Sequence, residues 1–252
     1  MAMTRKKTVT IVALLILIAL LAGAIFLFYR SAEAPSNNSP QATQKQDSPQ
    51  PTPDKQPSTF DKKRYSIDDP NSIWVVVNKQ RPLLSDFVPS NLQSIQGGQL
   101  RSEVAGAVQQ LIAAANKENV SLRTISAYRS FATQQSTYNN YVKADGQANA
   151  DTYSARPGHS EHQTGLAADL GNGSGQCDLE VCFETTAGGT WLAKNAHTYG
   201  FIIRYTKNDT ATTGYQYEPW HIRYVGVDLA NELYSKGQTM ETFFDLPAAP
   251  TY

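Results

Sequence analysis

Three kinds of sequence follow one another in this chain without mixing, and only the last can build a core. Residues 8–29 (TVTIVALLILIALLAGAIFLFY) are almost wholly apolar, and 31–59 consist mainly of Pro, Ser, Gln, Asn, Lys and Asp. From about Phe60 apolar and polar residues intermix as they do in a folded domain. A segment like 31–59 buries too little apolar surface to offset its ordering entropy, so it is expected to be disordered and to serve as a tether. Fully stretched it reaches about 90 Å, and as a flexible coil about 30 Å. The folded domain is expected within 60–252.

Roughly 20 helical residues cross the hydrocarbon of a bilayer, so Thr8–Tyr29 is long enough to span one. Arg5, Lys6 and Lys7 precede it, which leaves residues 1–7 cytoplasmic by the positive-inside tendency. A helix buried in a soluble domain would carry a polar face, and this run has none. The rival is a cleaved signal peptide, with Ala32-Glu33-Ala34 as a small-residue cleavage site. Signal cores run only about 7–15 residues, so the expectation is an uncleaved, single-pass anchor in the cell membrane. The domain behind it is then extracellular, and its substrate must be found near the outer membrane face.

Charge excludes one class of partner. Twenty-two basic residues balance 22 acidic ones, which gives no electrostatic footprint for nucleic acid.

Within 60–252, Val104, Val108, Leu111, Ile112 and Ala115 recur at three- and four-residue spacing and predict a helix with one buried stripe. Leu122–Tyr128 reads as a strand, Phe131–Lys143 as a second helix, and Gly165–Leu170 as a short strand entering a glycine-rich loop. Gly189-Thr190 opens a helix that stops at Tyr199-Gly200, since glycine is favoured just past a helix end. Phe201–Tyr205 and His221–Val225 read as strands, and Val227–Lys236 as a closing helix before Gly237. The gaps are too uneven for regular βαβ units. The expected class is α+β: a small, mostly antiparallel sheet with helices packed on it.

Cys177 and Cys182 are the only cysteines. Outside the membrane a disulfide closing the 171–189 loop is the natural reading. A zinc site of their own and two free thiols are the alternatives, though two thiolates without neighbouring ligands make a poor structural site.

Chemistry concentrates in the run Ser160-Glu-His-Gln-Thr-Gly-Leu-Ala-Ala-Asp169 and in Glu218-Pro-Trp-His221. Catalytic zinc usually takes three protein ligands and keeps a fourth position for water. His162, Asp169 and His221 can fill those three. The His162-x6-Asp169 spacing is too long for one helical face to bring both onto one ion and needs a bend, which Gly165 between them tolerates. Pro219 forbids a regular helix between Glu218 and His221. That leaves a ligand and a nearby free carboxylate, able to take the proton of a zinc-acidified water. Each residue alone is more often an ordinary polar side chain; the combination carries the signal.

Ser160-x-His162-x-x-Gly165-x-Ala167-x-Asp169 with Glu218-x-x-His221 resembles the VanY-type zinc D-alanyl-D-alanine carboxypeptidases and the related L,D-carboxypeptidases and D,D-dipeptidases. Ile73-Trp-Val-Val-Val-Asn-Lys-Gln-Arg-Pro-Leu83, Ser126-Ala-Tyr-Arg-Ser130 and Gly200-Phe-Ile-Ile-Arg-Tyr205 continue the likeness. The resemblance implies one Zn2+ held by His162, Asp169 and His221, with Glu218 as catalytic base. It also implies that Arg129 holds substrate or stabilises the oxyanion, and that Gln134 and Ser154 line the peptide cleft. Peptidoglycan stem peptides are the implied substrate, with the terminal D-alanine released. An L,D-carboxypeptidase acting on tetrapeptide stems and a D,D-dipeptidase are the enzyme rivals. A non-catalytic cell-wall peptide-binding module is the rival from another class, and the presence of all four groups weighs against it. His159 reads as a loop residue near the site and His197 as structural. Tyr215, Tyr217 and Trp220 read as pocket wall or packing.

Overall fold

The structure, a computed structural model, describes residues 60–252. The expected cytoplasmic segment, anchor and tether lie outside the described residues. No helix among the described residues is long and apolar enough to cross a membrane.

Leu92–Ile95 (β1) and Gly98–Arg101 (β2) form a two-stranded antiparallel hairpin. The chain then enters helix α1, Ser102–Lys117, which buries Val104, Ala105, Val108, Leu111 and Ala115 along one side. That is the stripe its spacing predicts, except that Ile112 is only partly buried and Ala105 is buried as well. Leu122–Ser126 (β3) follows, then α2 (Phe131–Asp145), capped by the Ser130 hydroxyl accepting from the Thr133 amide, and α3 (Gln147–Tyr153). β4 is Ala167–Asn172, α4 Ala187–Asn195, β5 Phe201–Ile203, β6 His221–Tyr224 and α5 Val227–Lys236. β3, β4, β6 and β5 pair in that order into one antiparallel sheet. The class is α+β, as expected.

The main core lies between α1, α4 and this sheet, where Leu111, Leu166, Leu170, Leu192, Phe201 and Ile222 are fully buried. A second cluster joins Trp74, Val76, Leu229, Leu233, Met240 and Phe243. The Trp74 indole is buried with its N–H satisfied by the Val225 carbonyl at 2.8 Å. Burial of a large aromatic with its polar atom paired is what fixes the 73–77 segment against the sheet.

Several boundaries differ from expectation for local reasons. β3 stops at Ser126 because its pairing with β4 is irregular between Thr124 and Ser126. Beyond it the backbone turns away: the Tyr128 amide donates to Gln99 and that of Arg129 to His162. Gly165 belongs to a turn instead of a strand, with φ +67°. α4 starts at Ala187, two residues early, because the Thr186 hydroxyl caps the Gly189 amide at 3.1 Å. It ends at Asn195, and a 3-10 turn over Ala196–Tyr199 leads to Gly200 at φ +85°. The β1–β2 hairpin and α3 were not anticipated.

Candidate active site

Four separate pieces of chain bring the chemistry together. A 3-10 turn over Glu161–Thr164 carries His162, and Gly165 ends it in the left-handed region, aiming the chain into β4. β4 carries Asp169. β6 opens with His221, and the register pairs Asp169 with His221 directly. Glu218 precedes β6 in a turn closed by the His221 amide donating to the Glu218 carbonyl at 3.2 Å. Pro219 stands inside that turn, where a helix was excluded.

His162, Asp169 and His221 are all buried, and one ligand atom from each lies within 4.8 Å of the others. The ring nitrogens are assigned by their partners. His162 Nδ1 must donate to the Ala127 carbonyl, 2.7 Å away, so the lone pair is on Nε2, which faces Asp169 Oδ2 at 3.2 Å. Burial holds the His162 imidazole below its ordinary value, that is, neutral. His221 presents Nδ1 to Asp169 Oδ1 at 3.1 Å and turns Nε2 to Glu161 Oε2 at 3.4 Å. Burial would raise the Asp169 carboxyl, but the two imidazoles outweigh it and hold the group well below the usual carboxylate range.

Donor atoms about 2.1 Å from one tetrahedral ion lie roughly 3.4 Å apart, so this N, O, N set fits Zn2+ with small adjustments. Glu218 Oε2 stands 3.7 Å from His221 Nδ1, beside the three donors. Burial pushes the Glu218 carboxyl up to about 8, and a cation among the three donors would lower it. A carboxyl poised near neutrality is suited to accept and return a proton.

A cavity of about 200 Å³ opens onto these groups, lined also by Arg129, Gln134, Ser154, Tyr205, Tyr215 and Trp220. Arg129 is held from two sides: Nη1 donates to Gln134 Oε1 and Nη2 to Ser126 Oγ, each at 2.9 Å. Gln134 is in turn fixed by donating to the Ala155 carbonyl at 2.6 Å. Guanidinium offers five N–H donors, so Arg129 retains donors for a ligand. Gln134 thus faces the cleft with its amide engaged on Arg129. Ser154 is buried in the cavity wall.

The remaining expectations separate cleanly. His159 Nδ1 meets the Asn78 carbonyl at 2.9 Å, outside the group of three. His197 stacks on Tyr234 and bonds Asn231. Tyr215 and Trp220 line the cavity, whereas the Tyr217 hydroxyl donates to Glu184. Cys177 and Cys182 form a disulfide with Cα atoms 5.5 Å apart.

Sequence reasoning missed the support behind the donors. Glu161 is fully buried, and its Oε1 accepts from Arg204 Nε at 2.8 Å and Arg223 Nη1 at 2.7 Å. Arg204 also grips Glu241 through both Nη atoms, at 2.9 and 2.6 Å, and Arg223 Nη2 reaches the Ile73 and Val75 carbonyls. Two carboxylates thus neutralise two guanidiniums, tying the His221 ring to the 73–77 segment and to the turn at Met240–Phe243. A carboxylate behind a metal-ligating histidine fixes the ring's tautomer and orientation. The one signal available was adjacency, since Glu161 touches His162 in sequence and Arg223 lies two residues past His221.

The sequence comparisons agree with this geometry. The family model described as "VanY: D-alanyl-D-alanine carboxypeptidase" matches residues 97–227. A Bacillus subtilis relative bearing a carboxypeptidase name, YodJ, is 40% identical over 190 residues, covering 71% of this chain and 70% of its own. Among solved structures, the LdcB LD-carboxypeptidase is 40% identical with a TM-score of 0.66, over 70% of this chain and 87% of that one. A mutant of the vancomycin-resistance D,D-pentapeptidase VanY, solved with Zn(II), is 31% identical with a TM-score of 0.60, over 67% of this chain and 97% of that one. Matched over more than half its length, and with the donor set folded together, the chain belongs to the VanY D-alanyl-D-alanine carboxypeptidase family.

Proposed function

We propose that the protein is a zinc-dependent carboxypeptidase that removes the terminal D-alanine from peptidoglycan stem peptides by hydrolysing the D-alanyl-D-alanine bond. The observation that carries this reading is the convergence of His162 Nε2, Asp169 and His221 Nδ1 with Glu218 beside them, in a cleft that also presents Arg129. One Zn2+ held by the three donors supplies Lewis-acid polarisation and an acidified water. Glu218 takes the proton of the attacking water and hands it to the departing amine of D-alanine. Arg129, pinned by Gln134 and Ser126, directs its free donors to the charge that develops on the scissile carbonyl oxygen, or to the substrate carboxylate. Tyr215 and Trp220 exclude water from one side of the cleft.

A second reading, an L,D-carboxypeptidase cutting tetrapeptide stems, is favoured by the likeness to LdcB at 40% identity, against 31% for VanY. Both reactions release D-alanine with the same residues, and they differ in the residue that precedes the bond. Incubating the full-length protein with purified penta- and tetrapeptide stems, with and without chelator, separates them by the mass of the products. D-Alanine from the pentapeptide supports the first reading, and D-alanine from the tetrapeptide alone moves the assignment to the second. Retention of peptide without cleavage would mark a binding module, and release that persists under chelation would overturn the metal mechanism.

The apolar run Thr8–Tyr29 and the polar tract 30–59 are proposed as membrane anchor and tether, which puts the cleft at the outer membrane face. Cleavage of residues 60–252 by protease added to intact cells checks this. A chain recovered in the soluble fraction and beginning after Ala34 would replace the anchor with a signal peptide.

A further inference from the structure

The loop after β4 holds an unusual backbone. Cys177 and Leu179 both lie at positive φ, +58° and +55°. Bulky side chains rarely adopt that region, and such residues persist only where their surroundings over-determine them. Here two restraints do so. The Cys177–Cys182 disulfide closes the loop, and the Asp178 carboxylate, between the two strained residues, pairs with the Arg123 guanidinium on β3. Arg123 is itself held by the Asn172 carbonyl at 3.1 Å.

The strain has a visible product. Asp178 turns inward, and Leu179 turns outward with 44% of its surface exposed. Of the 171–189 loop, Leu179 alone lines the active-site cavity, alongside Tyr141, Tyr153, Ala155, Tyr205, Tyr215 and Trp220. A leucine pushed into solvent at the edge of a cleft, on backbone that disfavours it, gains nothing for the fold.

We propose that Leu179 is a specificity-determining residue that packs on the alkyl part of the bound peptide, and that the Cys177–Cys182 disulfide is the clamp that presents it. The inference rests on the peptide-hydrolase reading given above. Exposed as it is, Leu179 adds little to stability, while truncating an apolar contact to a ligand typically costs on the order of tenfold in discrimination.

The test uses full-length protein, zinc-loaded, with the stem peptide that the wild type cleaves. Leu179→Ala is expected to raise KM about tenfold with kcat nearly unchanged. The double variant Cys177→Ser/Cys182→Ser is expected to raise KM comparably while keeping full zinc content and a cooperative melt. Adding Leu179→Ala to that double variant should then cost little more, because the contact is already lost. An unchanged KM in Leu179→Ala overturns the contact. A raised KM in Leu179→Ala together with an unchanged KM in the cysteine variant overturns the clamp. A fall in kcat or zinc content in either variant overturns the proposal too, since it would show the loop serving the metal site. A wild type that cleaves neither stem peptide defeats the hydrolase reading itself, a result distinct from all of these.

Discussion

Asp169 on β4 and His221 on β6 face each other directly across the antiparallel ladder, with Oδ1 of the carboxylate 3.1 Å from Nδ1 of the ring. Directly opposed side chains in such a pair are held close by the backbone itself, so the spacing of two candidate metal donors is set by strand register. Without metal the His221 ring sits between two carboxylates. Burial opposes its charge, but hydrogen bonds to Asp169 and Glu161 outweigh that and push the imidazole up to about 10. Ligation through Nδ1 needs its lone pair, so zinc must displace a proton. Zinc affinity should therefore fall as pH falls, by about tenfold per unit from this group alone at pH values below its pKa. Competition against a chromogenic chelator between pH 6 and 9, with calorimetry in buffers of different ionisation heat, checks both affinity and proton release. A flat affinity with no proton released would remove the imidazolium from the metal-free site.

In the proposed mechanism Glu218 carries the proton transfer and is not one of the three metal donors. Glu218→Gln preserves size and removes the base. The expected loss in kcat is about 10²–10⁴-fold, typical of general-base removal, with zinc stoichiometry unchanged and KM moved little. Metal content by mass spectrometry alongside D-alanine release distinguishes this from loss of the ion. Undiminished turnover would refute the assignment.

Arg129 and Gln134 act as a unit, because Gln134 Oε1 accepts from the guanidinium while its amide is tied to Ala155. Arg129→Ala should lower kcat/KM by about 10²–10³, the usual cost of losing one oxyanion donor. Gln134→Ala should cost less, since Ser126 still holds the other Nη. The double variant should be no worse than Arg129→Ala alone, because the second change then has nothing left to position. Additive losses would instead mean that Gln134 touches the substrate independently.

How far the sequence could be read follows from where the information lies. α1 and α5 were legible because their apolar spacing is local and regular, and Gly237 marks the end of α5 at φ +60°. The residues of the donor set were legible as a pattern of rare side chains, and the structure brings His162, Asp169 and His221 within reach of one ion. The β1–β2 hairpin was not, since Leu92-Gln-Ser-Ile has no β-branched alternation, and its turn depends on Gly97 lying against the Thr124 carbonyl. α3 is short and carries no apolar stripe, and only Ala150 is buried. The Glu161–Arg204–Glu241 cluster was invisible for a different reason. Charged residues normally face solvent, and only the tertiary arrangement shows these as fully buried and mutually neutralised.

That cluster leads to a measurable dependence on pH. Burial would raise the Glu161 carboxyl, but Arg204 and Arg223 outweigh it and hold the group well below the ordinary carboxylate range. A group depressed in this way contributes stability that is present above its unfolded value, 4.5, and is lost as pH falls below it. Glu161→Ala removes that contribution and leaves Arg223 without its carboxylate, while Arg204 keeps Glu241. Breaking one member of a buried charge cluster typically costs about 3–5 kcal/mol. Urea unfolding of the metal-free protein from pH 3 to 7 should show the variant well below wild type at neutral pH. The gap should narrow in acid, because wild type alone has Glu161 to lose. Asp169 titrates in both proteins, so the difference between the two curves isolates Glu161. A constant gap across the whole range would mean that the cost is one of packing, and the carboxylate would lose its electrostatic role behind His221.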